Sequence, residues 1–356
     1  MKKQVIIVIF LLGTISPVFN ASDGPVAVED PCRKEKFATA EPGTCLDPKA
    51  YRLLEAINTV QNNPYNNEFA KRVIDVFEPR VHTQADTIVA SEQYDIPVRI
   101  YYPTNGSTVK PTQLALFIHG GGFMFGSIET YDMAVKKLAR VTGYIIVSVD
   151  YRLAPEHPYP AALDDLTTVL NWMVENRSTI GGNNQKIIVI GDSAGANLAT
   201  VLALKQRDQQ RDNILCQVLY YPPTTFEEIE FPSRIYFLRD ERRTYLLSEE
   251  FVRESKDSYL AGNVSATNPY VSPLRADLSG HLPPVLILNA EVDPLRDEGR
   301  LYAEKLREAG QSVTYMEFEG MIHGFFNFYM IFREGKESMK LIKAYVDGLQ
   351  GQISAP

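Results

Sequence analysis

The sequence predicts an α/β domain built on a mostly parallel β-sheet with helices on both faces. Three observations predict it. Short apolar runs rich in β-formers alternate with longer stretches of helical apolar spacing, each pair taking roughly 30–40 residues. Several middle runs, such as LALFIHG at 114–120 and YIIVSVDY at 144–151, are apolar at both alternating positions. That suits parallel strands covered on both faces. The 356 residues, 45% hydrophobic and 22% charged, are enough for a substantial core.

The elements follow in order. Lys2 and Lys3 precede the apolar run VIIVIFLLGTI at 5–15. A short basic region followed by such a run resembles a secretory signal peptide, here 1–21, and implies export to the periplasm or beyond. The run is too short to span a bilayer, which needs ~20 residues. Residues 22–47 are polar and Pro-rich and read as extended. Cys32 and Cys45 lie in this stretch and could close a short loop in an oxidising compartment. Residues 48–80 carry helical spacing, with Leu53, Leu54 and Ile57, then Phe69, Val73 and Ile74, and Pro64 between them.

Strand–helix alternation occupies 81–356. The strands are expected at 96–102, 114–120, 144–151, 186–191, 216–221, 284–290 and 312–318. The helices are expected at 131–142, 160–177, 193–207, 295–310 and 337–350, with Gly143 and Gly310 as C-terminal stops. Cys216 falls in an apolar strand and reads as a buried thiol. The interval of about 222–269 breaks the rhythm. It is rich in Phe, Tyr, Arg and Glu and holds one helix-like segment, SEEFVRESKDSYL. An insertion there lies over the C-terminal edge of such a sheet.

Bulk charge narrows the partners. A net charge of −8 and the lack of a basic stripe argue against nucleic acid. No clustered Cys/His pattern suggests a metal, and no phosphate-binding loop appears. The expected partner is a small molecule, with no metal, no organic cofactor and no stable membrane span. Monomer and homodimer both stay open.

The chemistry centres on KIIVIGDSAGAN at 186–197. Ser193 has two readings: a helix N-cap, or the nucleophile of a G-x-S-x-G elbow. The second requires a base, an acid and oxyanion donors elsewhere in the chain. Only His281 and His323 follow Ser193 among the five histidines. His281 precedes a strand and reads as a loop residue. His323 follows the last strand, where catalytic groups collect. The acid is expected in EVDPLRDEG. Asp293 sits as the strand ends and Pro294 follows it; Glu291, Asp297 and Glu298 are competitors, the last two explained by the dipole of the helix they begin. Ala194 offers a backbone N–H at a helix start. HGGGF at 119–123 offers more, because glycines let the main chain approach a substrate oxygen closely.

The motifs HGGGF, DYRLAPEHPYPAAL, GDSAGAN, DPLRDEG and IHGF, spread over roughly residues 85–350, resemble the hormone-sensitive lipase family of esterases, bacterial family IV, in its GDSAG branch. The resemblance implies an α/β-hydrolase fold: a mostly parallel eight-stranded sheet flanked by helices, with a helical cap from 48–80 and about 222–269. It implies Ser193 as nucleophile, Asp293 as acid, His323 as base, and Gly121, Gly122 and Ala194 as oxyanion donors. His119, Asp192 and the YRLAPEHPYP stretch become supporting residues. The chain departs from the family at Ala196, where a second glycine is common, and in its long N-terminus. The implied activity is serine carboxylesterase action on short- to medium-chain acyl esters. An amidase or sugar-ester deacetylase on the same residues remains open, as does a non-catalytic ligand-binding protein of the same fold.

Overall fold

The computed structural model describes residues 39, 41–61, 83–91, 94–103, 112–183, 185–240 and 245–353. The expected signal segment and the second half of the 48–80 helical stretch lie outside the described residues, as does Cys32. Cys45 is disulfide-bonded, and Cys216 is a buried free thiol.

An eight-stranded sheet forms the centre. Its strands are β1 (Thr83–Val89), β2 (Ile96–Tyr102), β3 (Leu114–Ile118), β4 (Ile145–Val149), β5 (Ile187–Asp192), β6 (Ile214–Tyr220), β7 (Val285–Val292) and β8 (Val313–Ile322). They lie side by side in the order β1-β2-β4-β3-β5-β6-β7-β8. β2 pairs antiparallel with β1 and β4, and every pairing from β4 through β8 is parallel. Seven strands match the expected runs. β1, TQADTIV, escapes the sequence pattern because it is an edge strand with much of its length exposed to water.

The helices are α1 (Pro48–Gln61), α2 (Ile128–Thr142), α3 (Ala161–Glu175), α4 (Ala194–Asp208), α5 (Pro232–Leu238), α6 (Glu249–Leu260), α7 (Arg296–Glu308) and α8 (Arg333–Ile353). α2 starts three residues before the expected 131, because Ser127 and Thr130 form a reciprocal capping box. It ends at Gly143 in the left-handed conformation, as expected. α5 and α6 both fall inside the 222–269 interval, so that interval is partly helical.

Two apolar layers sandwich the sheet, and the pleat sorts residues between them. Leu114, Leu116 and Ile118 face one layer with residues of α3, α4 and α7. Ala115 and Phe117 face the other, with residues of α1, α2 and α8. α1 sends Ala50, Leu53 and Leu54 into that second layer.

α4 sits unusually deep, with Ala194 through Leu204 all buried. Small residues permit it. A Cβ on Gly195 would stand 2.0 Å from the Ile118 carbonyl oxygen, and one on Gly191 would stand 2.2 Å from the Gly195 oxygen. Both glycines are there for close approach of helix and strand. Ala196 is fully buried, so a methyl group is accommodated where the family often has hydrogen.

The YRLAPEHPYP stretch after β4 is tied down by charge. Arg152 grips Asp165 of α3 through its Nε and Nη2, at 3.0 and 2.7 Å. Asp165 is 1% exposed, so its loss of a partner would strand a buried charge at a cost of about 3–5 kcal/mol.

Gly195→Ala is expected to destabilise the fold by about 1–3 kcal/mol, since the methyl group meets backbone that cannot rotate away. Urea melts of the two proteins check this; equal midpoints would contradict the packing account.

Candidate active site

The parallel strands run their C-terminal ends to one edge of the sheet, and four loops meet there. They follow β3, β5, β7 and β8.

After β5 the chain turns sharply. Ser193 takes φ 53 and ψ −123, a region that L-residues rarely adopt. Its N–H donates to the Tyr220 carbonyl at 2.9 Å, which pins the turn to β6. Its carbonyl accepts from Ala196 and Asn197, at 2.9 and 3.1 Å. Ser193 occupies the N-cap position of α4, but its side chain makes no cap hydrogen bond. The helix-cap reading of that hydroxyl therefore fails. Oγ faces His323 Nε2 instead, at 2.9 Å.

His323 follows β8, and its Nδ1 lies 2.8 Å from Asp293 Oδ2. With a carboxylate there, Nδ1 carries the proton and Nε2 accepts from Ser193. Asp293 follows β7 and is fully buried; its Oδ1 accepts from the Leu295 N–H at 2.8 Å. The Tyr221 ring lies against the imidazole, with centroids 4.5 Å apart. The structure thus joins Ser193, His323 and Asp293 in one chain of hydrogen bonds.

The competitors are occupied elsewhere. Glu291 accepts from the Gly320 N–H at 2.8 Å. Asp297 and Glu298 begin α7 and also hold α5: Asp297 accepts from the Ser233 N–H, and Glu298 pairs with Arg234, both at 2.8 Å. His281 lies before β7, at the opposite edge of the sheet, beside Gln206 and Arg207.

The loop after β3 divides its glycines between two jobs. The Gly120 N–H is taken, donating to Asp192 Oδ1 at 2.8 Å and lying 3.1 Å from the Tyr131 hydroxyl oxygen. The N–H groups of Gly121, Gly122 and Ala194 find no acceptor among the described residues. Gly121 and Gly122 have φ of 119 and 59, backbone that glycine adopts without strain. A Cβ on Gly122 would collide with Ser255 and Phe251, so α6 closes directly over this glycine.

Several groups hold the loop in place. His119 donates from Nδ1 to the Gly120 carbonyl at 2.8 Å, and its ring stacks on Tyr151. Burial pushes its pKa down to about 4, so it is neutral near pH 7. The Tyr151 hydroxyl donates to the His119 carbonyl at 2.7 Å, and the Ala154 N–H donates to the Phe123 carbonyl at 2.9 Å. Asp192 accepts from the Tyr131 hydroxyl at 3.0 Å. Burial nonetheless raises its pKa to about 6, against the lowering effect of Tyr131 and the Gly120 N–H.

A cavity of about 670 Å³ opens on Ser193, Ala194 and Gly122. Phe226, Phe251 and Leu295 contribute apolar wall. Several charges at its rim are paired: Glu227 with Arg275, Glu228 with Lys256, and Arg234 with Glu298. Asn197 anchors both ends of the segment over it, donating to the carbonyls of Pro223 and Val271 at 2.9 and 3.0 Å. Among the described residues, no group of three or more His, Cys, Asp or Glu could hold a metal ion. No helix among them is long and apolar enough to cross a membrane.

Tyr131, Tyr221 and Asn197 were not legible as functional residues. Tyr221, directly after β6, had the same positional signal as Asp293 and His323. Tyr131 lies within a helix and carried none.

Chemically, the arrangement places a hydroxyl next to an imidazole whose far side is held by a carboxyl group. Three N–H groups with no acceptor among the described residues and a cavity with apolar wall adjoin it. Known proteins share this frame. Residues 115–327 match the family model for the alpha/beta hydrolase fold. The carboxylesterase NlhH of Mycobacterium tuberculosis is 38% identical over 261 residues, 71% of this chain and 78% of the relative. The ethyl acetate hydrolase of Pseudomonas putida is 31% identical over 269 residues, 75% of this chain and 82% of the relative. The solved hyperthermophilic esterase of the archaeon Pyrobaculum calidifontis superposes with a TM-score of 0.77 at 36% identity, covering 86% of this chain and 99% of that one.

Asp192 provides a pH test. Its folded-state pKa of about 6 exceeds the ordinary 3.8, so the native state holds its proton more tightly than the unfolded chain. Stability from this group is present below pH 4 and is lost as pH rises through 6, by about 3 kcal/mol in all. Asp192→Asn removes the titrating carboxyl. Wild-type stability relative to the variant is expected to fall from pH 4 to pH 6 and then level off, as read by urea melts. Parallel pH curves for the two proteins would contradict it.

Proposed function

The chain belongs to the α/β-hydrolase superfamily, in the hormone-sensitive lipase family of carboxylic ester hydrolases, and on that premise we propose that it cleaves short- to medium-chain acyl esters through an acyl-enzyme formed on Ser193. The observation that carries the proposal is the chain from Ser193 through His323 to Asp293, with links of 2.9 and 2.8 Å.

Ser193 Oγ attacks the ester carbonyl carbon while His323 Nε2 takes its proton. Asp293 keeps Nδ1 protonated and steadies the imidazolium that forms. The carbonyl oxygen becomes an oxyanion, met by the N–H groups of Gly121, Gly122 and Ala194. The N-terminus of α4 points its dipole at the same charge. His323 then gives its proton to the leaving alkoxide oxygen, and the alcohol departs. Water attacks the acyl-serine with His323 again as base, releasing the carboxylic acid and restoring Ser193.

The acyl size rests on the site's walls. α6 seats Phe251 and Ser255 on Gly122, next to where the carbonyl oxygen binds. We read the 222–269 segment with α5 and α6 as the cap that bounds the pocket. That one relative is named an ethyl acetate hydrolase supports a small acyl group here as well. Export is part of the same proposal, supported by the basic and apolar N-terminus and by the disulfide at Cys45.

Hydrolysis of 4-nitrophenyl esters of rising acyl length tests the reading. Turnover is expected to peak at short to medium chains, and Ser193→Ala to lose at least about 100-fold. Full activity in the variant would show that Ser193 is not the nucleophile.

A further inference from the structure

The segment before α1 grips both loops that carry the acid and the base. Glu41 receives Arg296 at both carboxylate oxygens, Nη1 at 2.5 Å and Nη2 at 2.6 Å. Arg296 is 5% exposed and sits over the Phe237 ring. It brackets Asp293 from both sides in sequence. Its guanidinium donates to the Glu291 carbonyl at 3.1 Å, and its own N–H donates to the Asp293 carbonyl at 3.0 Å. The second grip is on the histidine loop. The Asp47 N–H donates to the Gly320 carbonyl at 3.1 Å, three residues before His323. Gly320 in turn donates its N–H to the Glu291 side chain. The network is closed: segment 41–47, loop 291–296 and loop 320–323 each hold the other two.

Two features make this more than surface decoration. The fork between Glu41 and Arg296 is bidentate and largely out of water, so its geometry is fixed. Segment 41–47 also carries the buried Leu46, which keeps it seated.

We propose that Glu41 is a positioning residue for ester hydrolysis, holding Asp293 in register with His323 through Arg296. It rests on the assignment of Asp293 and His323 as acid and base. Glu41 and Arg296 do not line the cavity at Ser193, so substrate binding is not their business. A small misplacement of the acid loop lengthens the Asp293–His323 contact and slows the chemical steps.

The test compares wild type, Ser193→Ala, Glu41→Ala and Glu41→Gln on 4-nitrophenyl butyrate. Rates of the proteins that keep Ser193 are normalised to active sites counted by end-point titration with a serine-directed phosphonate, so that a loss of folded protein does not count, and Ser193→Ala is normalised to folded protein. Glu41→Ala is expected to lower kcat by about 10- to 100-fold with KM changed less than about twofold. Glu41→Gln, which keeps one acceptor oxygen, is expected to fall between it and wild type. If Glu41→Ala does not fold, Glu41→Gln decides on the same criteria. Unchanged kcat per site, a loss in KM alone, or failure of both variants to fold would overturn the positioning role in favour of a purely structural one. An active Ser193→Ala protein would instead overturn the assignment of the site itself.

Discussion

The close approach of α4 to the centre of the sheet is the constraint on which the site depends. Gly195 lies so near Ile118 that no side chain fits between them, and Gly191 is pressed against Gly195 in the same way. Those contacts force the chain to leave β5 and enter α4 with almost no loop. Ser193 absorbs the turn at φ 53, with its hydroxyl lifted clear of the backbone. A looser helix would relax the turn and with it the position of the proposed nucleophile. The strain is balanced by the apolar burial of α4, which is covered along nearly its whole length.

The same edge of the sheet then collects groups from distant parts of the chain. Parallel pairing from β3 to β8 delivers every strand end in one direction, and each loop there holds its neighbours. Asp192, next to the proposed nucleophile, holds the Gly120 N–H, while those of Gly121 and Gly122 find no acceptor among the described residues. A carboxylate is thus buried where it organises donors for another negative charge. Burial pushes its proton affinity up, and the Tyr131 hydroxyl and Gly120 N–H limit the effect. Local order here costs global stability above pH 6, a trade that recurs at sites built for chemistry.

Local pattern and motif explain what could be read from the residues. β5, the elbow and α4 announce themselves as an apolar run, small residues and a helical stretch, and Asp293 and His323 stand at strand ends. The edge strand β1 was hidden because an exposed strand need not be apolar. The start of α2 was hidden because its signal is a pair of polar side chains at Ser127 and Thr130. The residues alone do not tell Gly120 from Gly121 and Gly122; the family resemblance separates them, and the physical reason lies in the fold, which brings Asp192 to Gly120. Glu41 and Arg296 are 255 residues apart, and no periodicity relates them. For the glycine loop and for the Glu41–Arg296 pair the missing information was long-range contact.

The central claim is that Ser193 forms a covalent acyl intermediate at this edge of the sheet. Rapid quenching of the enzyme with 4-nitrophenyl acetate, followed by peptide mass mapping, tests it most directly. The account predicts an acetyl group on Ser193 during turnover, absent from the quenched free enzyme. Turnover with Ser193 unmodified, or an acetyl group that maps to another residue, would contradict it.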